Sequence, residues 1–151
     1  MLNDFSSVVD QAKFLPQRHR SGGLKGNRNM TNKEILMAFY EEVFNGHDAD
    51  AARKYLREDY IQHNPGVGQG REAFIEAFRK KFEQVPHFHL DVKRIIVEGD
   101  MAAVHIHATG LPGKNESVVV DIYRFQDRLL AEHWDCLMPI PQDMLGNNIY
   151  F

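Results

Sequence analysis

The sequence predicts an α+β fold, with about three helices packed on a curved, antiparallel four-stranded sheet. Apolar residues recur at helical spacing as far as Gln84, and after Pro86 the period changes to alternation. The links between the alternating segments are short, so consecutive strands should fold back on one another as an antiparallel meander. Helices first and strands after favour helices layered on one sheet face over alternating crossover units.

Each element has its own signal. Thr31-Asn32-Lys33-Glu34 is a capping-box pattern ahead of an apolar run. Ile35, Phe39 and Val43, with Leu36, Tyr40 and Phe44 one step round, give a broad apolar stripe that ends at Asn45-Gly46-His47. Asp48 can cap a shorter helix carrying Ala49, Ala52, Tyr55 and Leu56. Tyr60 to Asn64 reads as extended and stops at Pro65-Gly66. A third helix runs from Gly70 or Arg71 to about Gln84, with Phe74, Phe78 and Phe82 in register. The four strands are expected at about His87–Glu98, Met101–Thr109, Ser117–Gln126 and Leu129–Met138.

The division expected is a flexible or loosely docked leader over residues 1–30, rich in Gly and basic residues, and one domain over 31–151. A chain of 151 residues suits a single core, and its 43% hydrophobic and 26% charged content is ordinary for a globular protein. A net charge of -3 without a basic run makes nucleic acid an unexpected partner. No apolar run approaches the roughly 20 residues needed to cross a bilayer, so no membrane association is expected. The early Asp4 does not suit a secretory signal, and the single Cys136 excludes an internal disulfide, so a cytoplasmic location is the expectation. Cys136 lies in an apolar strand and reads as core.

Chemistry points first to Asp121, a lone carboxyl among Val119, Val120, Ile122, Tyr123 and Phe125. Such an Asp is either solvated on an open strand face or desolvated in a pocket, where it could exchange a proton with a ligand. His87 with His89, and His105 with His107, each share one face of a strand. They can be solvated or interface histidines, acid–base groups of a polar pocket, or metal ligands if further partners converge. No nucleophile elbow, phosphate-binding loop or dinucleotide fingerprint is present. The phenylalanines read as core or as the wall of an apolar ligand cavity.

Taken together, Tyr60-Ile61-Gln62-His63-Asn64-Pro65, Gly70-Arg71-Glu72, Val104-His105-Ile106-His107, Asp121 to Phe125 and Glu132-His133-Trp134-Asp135 carry a resemblance to the SnoaL-like polyketide cyclases of the nuclear-transport-factor-2-like superfamily. The resemblance implies a cone whose sheet wraps the helices around a deep cavity, and a homodimer built on the outer sheet face. It implies an intramolecular aldol cyclisation by acid–base catalysis, without metal or organic cofactor, on a small apolar or aromatic carbonyl ligand such as a polyketide ester. Asp121 and His107 match the catalytic acid–base pair. A second resemblance, to ketosteroid isomerases, adds Tyr40 as partner of Asp121 in an oxyanion hole. Asn64 stands where that family has its basic Asp, so a base must come from His63, His105 or His107. Of His133 and Trp134, which alternate, the indole is the one expected inward, with His63, Asn64, His105 and Trp134 lining the ligand site. The reading is of a cofactor-independent lyase- or isomerase-type enzyme; the alternative is a non-catalytic small-molecule or partner-binding module on the same scaffold.

Overall fold

A computed structural model describes residues 29–111, 116–141 and 150–151. The leader expected over 1–30 falls almost wholly outside them, as does the centre of the turn before the third predicted strand.

The chain opens with α1 (Asn32–Phe39), a π-helical continuation (Tyr40–Asn45) and a 3-10 helix (Ala49–Lys54). Thr31 caps α1: its side chain accepts from the Glu34 amide at 3.3 Å, and the Glu34 carboxylate accepts from the Thr31 amide at 2.7 Å. The switch to the wider π pitch begins at Tyr40, whose hydroxyl reaches the sheet. Gly46 closes this segment; a Cβ there would lie 2.6 Å from the Glu42 carbonyl oxygen. The predicted second helix is shorter than expected, ending at Lys54, and Leu56 already belongs to a strand.

That strand, β1 (Leu56–Gln62), precedes α2 (Arg71–Gln84), and β2 (His89–Glu98), β3 (Met101–Thr109), β4 (Ser117–Gln126) and β5 (Leu129–Pro139) follow. The sheet therefore has five strands rather than four, in the order β1-β5-β4-β3-β2, and β1 runs parallel to β5. The sheet is mixed, not purely antiparallel. β1 reads Leu-Arg-Glu-Asp-Tyr-Ile-Gln, with a charged centre and only Leu56, Tyr60 and Gln62 buried. An edge strand of this kind carries no apolar alternation and no hairpin turn to announce it.

The core lies between the helices and one sheet face. Ala102, Val104, Ile106 and Ala108 of β3 point into it with Val119, Tyr123 and Phe125 of β4. Phe39 is fully buried and packs edge-on against Phe44 at 5.1 Å and Tyr55 at 5.7 Å between ring centroids. Phe74 and Phe78 of α2 extend this aromatic layer, 4.4 Å apart. Gly110, at φ +68°, ends β3 beneath the His87 carbonyl oxygen, which a Cβ there would approach to 1.9 Å. No larger residue fits without moving backbone.

One irregularity decides which side chains of β5 face inward. Gln126 pairs with Leu129 and Phe125 with Leu130, but Arg124 pairs with Glu132, so Ala131 is an extra residue. Without it the hairpin register would set Trp134 opposite Asp121 on the core face. With it, His133 pairs with inward Tyr123, and Trp134 pairs with outward Ile122. A one-residue shift exchanges the two faces of a strand.

Candidate functional site

Asp121 comes from the middle of β4 and is 6% exposed, so its carboxyl lies on the core face. Tyr40 reaches it from the start of the π turn and donates its hydroxyl to Oδ2. The Tyr123 hydroxyl, two residues further along the same strand, also donates to Oδ2 at 3.4 Å, and lies 3.3 Å from that of Tyr40. His133 approaches the other carboxylate oxygen, with Nε2 3.3 Å from Oδ1. Its ring stacks on Tyr123 at 4.6 Å.

The tautomer of His133 follows from its second nitrogen. The Gln62 side-chain oxygen accepts the Asn64 amide N–H at 3.0 Å, which fixes the orientation of that amide group. The same oxygen lies 2.8 Å from Nδ1 of His133, so Nδ1 must donate to it. In the neutral ring, Nε2 is then a lone pair aimed towards Asp121. It is buried and makes no hydrogen bond among the described residues.

Three phenols surround the carboxyl, and all are held neutral. Burial, then the Asp121 charge, pushes Tyr40 and Tyr123 well above the ordinary phenol range. Tyr60 is raised in the same way, by burial and then by Asp121 and Asp135. They remain donors throughout the range in which carboxyl and imidazole groups titrate.

A cavity of about 690 Å³ opens between α2 and the inner sheet face. Phe74 and Phe78 form its apolar wall, and Asp121, Tyr123, His133, Asp135, Asn64 and Gln62 its polar one. The Asn64 side-chain amide donates to Asp135, holding that second carboxylate at the cavity edge. Lys81 of α2 also lines the space, its amine 4.5 Å from the centroid of Phe88. Burial pulls this amine below its usual range, partly offset by the charges of Asp135 and Asp121.

Residues 36–133 match the family model of the SnoaL-like domain. The chain belongs to the SnoaL-like family. Its fold is accordingly the nuclear-transport-factor-2-like α+β cone, here with three helical segments against a five-stranded sheet. Among solved structures it is similar to TsrD from Streptomyces laurentii, at 25% identity over 70% of this chain and 86% of that one, with a TM-score of 0.60. It is similar to IdmH, a proposed polyketide cyclase from Streptomyces antibioticus, at 22% identity, covering 72% and 92% of the two chains with a TM-score of 0.62. A cystatin-fold protein from Novosphingobium aromaticivorans superposes with a TM-score of 0.64 at 22% identity, over 71% of this chain and 98% of that one. A comparison with curated proteins finds no match.

In this SnoaL-like domain the residues expected at the site divide between the two sheet faces. Asp121 and Tyr40 meet, and Asn64 reaches the cavity. His107 does not: it alternates with buried Ile106 and Ala108 and projects from the opposite face, 2.7 Å from Glu116. His105 shares that face, where its Nδ1 accepts from Arg94 at 2.9 Å. His63 and Trp134 are also outside, stacked on each other at 4.8 Å, with His63 2.9 Å from Glu132. The bulge at Ala131 reverses the expected orientation of Trp134 and brings His133 in its place. Cys136, expected in the core, is exposed, because the same shift pairs it with outward Val120 on the outer sheet face. Among the described residues no group of three His, Cys, Asp or Glu is arranged to hold a metal ion. No helix among them is long and apolar enough to cross a membrane.

Gln62, Tyr123, Asp135 and Lys81 are not among the site residues expected from the sequence. Gln62 and Tyr123 had usable signals: both stand two residues from a named candidate on an extended segment and so share its face. Nothing local marks Lys81, whose position depends on how α2 packs.

Proposed function

We propose that the domain is a cofactor-independent acid–base enzyme of the SnoaL type, acting on a small enolisable carbonyl compound by aldol-type cyclisation or isomerisation. The observation that supports this best is Asp121, a buried carboxyl at a cavity wall with an imidazole 3.3 Å from one oxygen and phenol donors on the other. Two lone pairs facing each other at that distance repel, so the pair is satisfied with one proton between them. Without that proton the couple can take one from a carbon acid into the vacant position, and it can then return it at a second carbon.

The roles follow the geometry. His133 and Asp121 act as the acid–base couple in place of His107. Tyr123 lines the cavity, and its neutral hydroxyl can donate to an enolate oxygen. Tyr40 is fully buried and not part of the cavity wall, so it acts by orienting Asp121. Gln62 sets the histidine tautomer, as an orienting acceptor does in other acid–base couples.

The test is exchange of α-protons of aromatic 1,3-dicarbonyl compounds into deuterium oxide, followed by proton NMR. Catalysed exchange by the protein and its loss in Asp121→Asn support the reading. Saturable binding with no catalysed exchange favours a non-catalytic ligand-binding module instead. A homodimer belongs to the same proposal: Val120, Ile122 and Met138 expose apolar side chains on the outer sheet face. Sedimentation equilibrium giving only monomer would remove that part.

A further inference from the structure

The cavity contains a charged group that the acid–base reading leaves unused. Lys81 carries its amine over the rings of Phe88, at 4.5 Å, and Phe78, at 5.3 Å. Its neighbour Lys80 behaves differently, pairing with Glu76 at 2.7 Å on the exposed side of α2. No carboxylate among the described residues forms an ion pair with Lys81. A half-buried ammonium on aromatic faces has exchanged water for weak electrostatic contacts, and no direct ion pair among the described residues compensates it.

Its position relative to Asp121 is set by the strand register. Asp121 pairs with Val104, whereas Leu90 pairs with Ala108, four residues further along β3. Phe88, beneath the Lys81 amine, lies beyond Leu90 in the same direction. At the rise of an extended strand, four residues correspond to roughly 13 Å. The strand positions beneath the two groups are therefore separated along the sheet, and Phe74, Phe78 and Val119 line the cavity that both groups face. The charges of Asp135 and Asp121 reach Lys81 across that space.

We propose that Lys81 forms an anion subsite, binding a carboxylate carried at the far end of an aromatic or apolar ligand whose enolisable carbon is presented to Asp121. The substrate class is thus an acid bearing a carbonyl group, not a neutral ester. This rests on the reading of the cavity as a substrate site. The carboxylate supplies the direct ion pair that Lys81 does not make with the described residues, and the two anchors fix the direction in which the ligand enters. A neutral ligand would fill the same aromatic wall and leave the ammonium without that partner.

The experiment compares 6-(3-oxobutanoyl)-2-naphthoic acid with its methyl ester by isothermal titration calorimetry near neutral pH. The intact protein is expected to bind the acid about tenfold or more tighter than the ester. Lys81→Met should abolish that preference with ester affinity within about twofold, and Lys81→Arg should retain it. Equal affinity for acid and ester, binding of neither, or a preference that survives Lys81→Met overturns the proposal. Reduction with borohydride separates ionic from covalent capture: a stable adduct on Lys81 by mass spectrometry would mean imine formation and also overturn it. Asp121→Asn keeps the acid preference if the subsite is real, while α-proton exchange tests the catalytic reading separately. Preference without exchange defeats that reading alone.

Discussion

Nε2 of His133 stands 3.3 Å from Oδ1 of Asp121, and one extra residue in β5, Ala131, puts it there. The carboxyl is contributed by a regular strand and the imidazole by an irregular one. Their meeting is a property of the β4–β5 hairpin as a unit. Its consequences can be measured.

Asp121→Asn keeps the shape of the side chain and removes its ability to carry the shared proton. Exchange of dicarbonyl α-protons should fall by about 10²–10⁴, the range associated with a positioned acid–base group. Asp121→Ala should in addition cost about 1–3 kcal/mol of stability, because the buried Tyr40 and Tyr123 hydroxyls lose their acceptor. Urea denaturation of the two variants separates these effects.

Gln62→Leu removes the acceptor at Nδ1 of His133 while leaving carboxyl and imidazole in place. The expected result is a lower exchange rate with a displaced pH–rate profile, since the tautomer presented to Asp121 is no longer fixed. A uniform loss with an unchanged profile would mean that Gln62 serves only to hold β1 and β5 together.

His107→Ala should leave exchange within about twofold of the parent, because this histidine lies outside the sheet against Glu116. A loss as large as that expected for Asp121→Asn would show that the couple has been assigned to the wrong histidine.

Phe39 sits where α1, the π turn, the 3-10 segment and α2 meet, against Tyr40, Phe44, Tyr55, Phe74 and Tyr123. Phe39→Ala should cost about 3–5 kcal/mol, the transfer loss plus the cavity left in an aromatic core. Differential scanning calorimetry would record this as a lowered Tm.

Alkaline pH should destabilise the fold. Tyr40, Tyr60 and Tyr123 are raised well above the phenol value by burial first and by neighbouring charge second. In the unfolded chain they ionise near pH 10, and in the folded one they stay protonated, so above about pH 10 the unfolded state binds fewer protons. Stability is therefore complete below that pH and falls above it, by about 1.4 kcal/mol per pH unit for each tyrosine. Tyrosinate absorbance of these residues should rise together with loss of circular dichroism, not ahead of it.

Most of the frame was legible in the residues. The capping box at Thr31, the phenylalanine spacing of α2 and the alternation of β3 and β4 each encode an element through local chemistry, and the observed bounds of α2, β3 and β4 match. β1 has no such local signal: its partner, β5, is distant in sequence, and its centre, Arg57-Glu58-Asp59, is charged. The site was legible where one strand sufficed, as for Asp121, whereas its link to Tyr40 on the first helix was implied only by the resemblance to ketosteroid isomerases. It misled where the answer lay in the relation between faces. Two histidines spaced like a ligand pair on β3 stand outside because Val104 and Ile106 claim the core. The indole was expected inside because regular pairing across the hairpin would put it there.

The Ala131 bulge also bears on how this scaffold could acquire new chemistry. Loss of a single codon in the β4–β5 hairpin would offer the cavity an indole in place of an imidazole, with no point substitution required. Insertions and deletions in this hairpin are therefore a direct route to exchanging a proton carrier for a stacking platform.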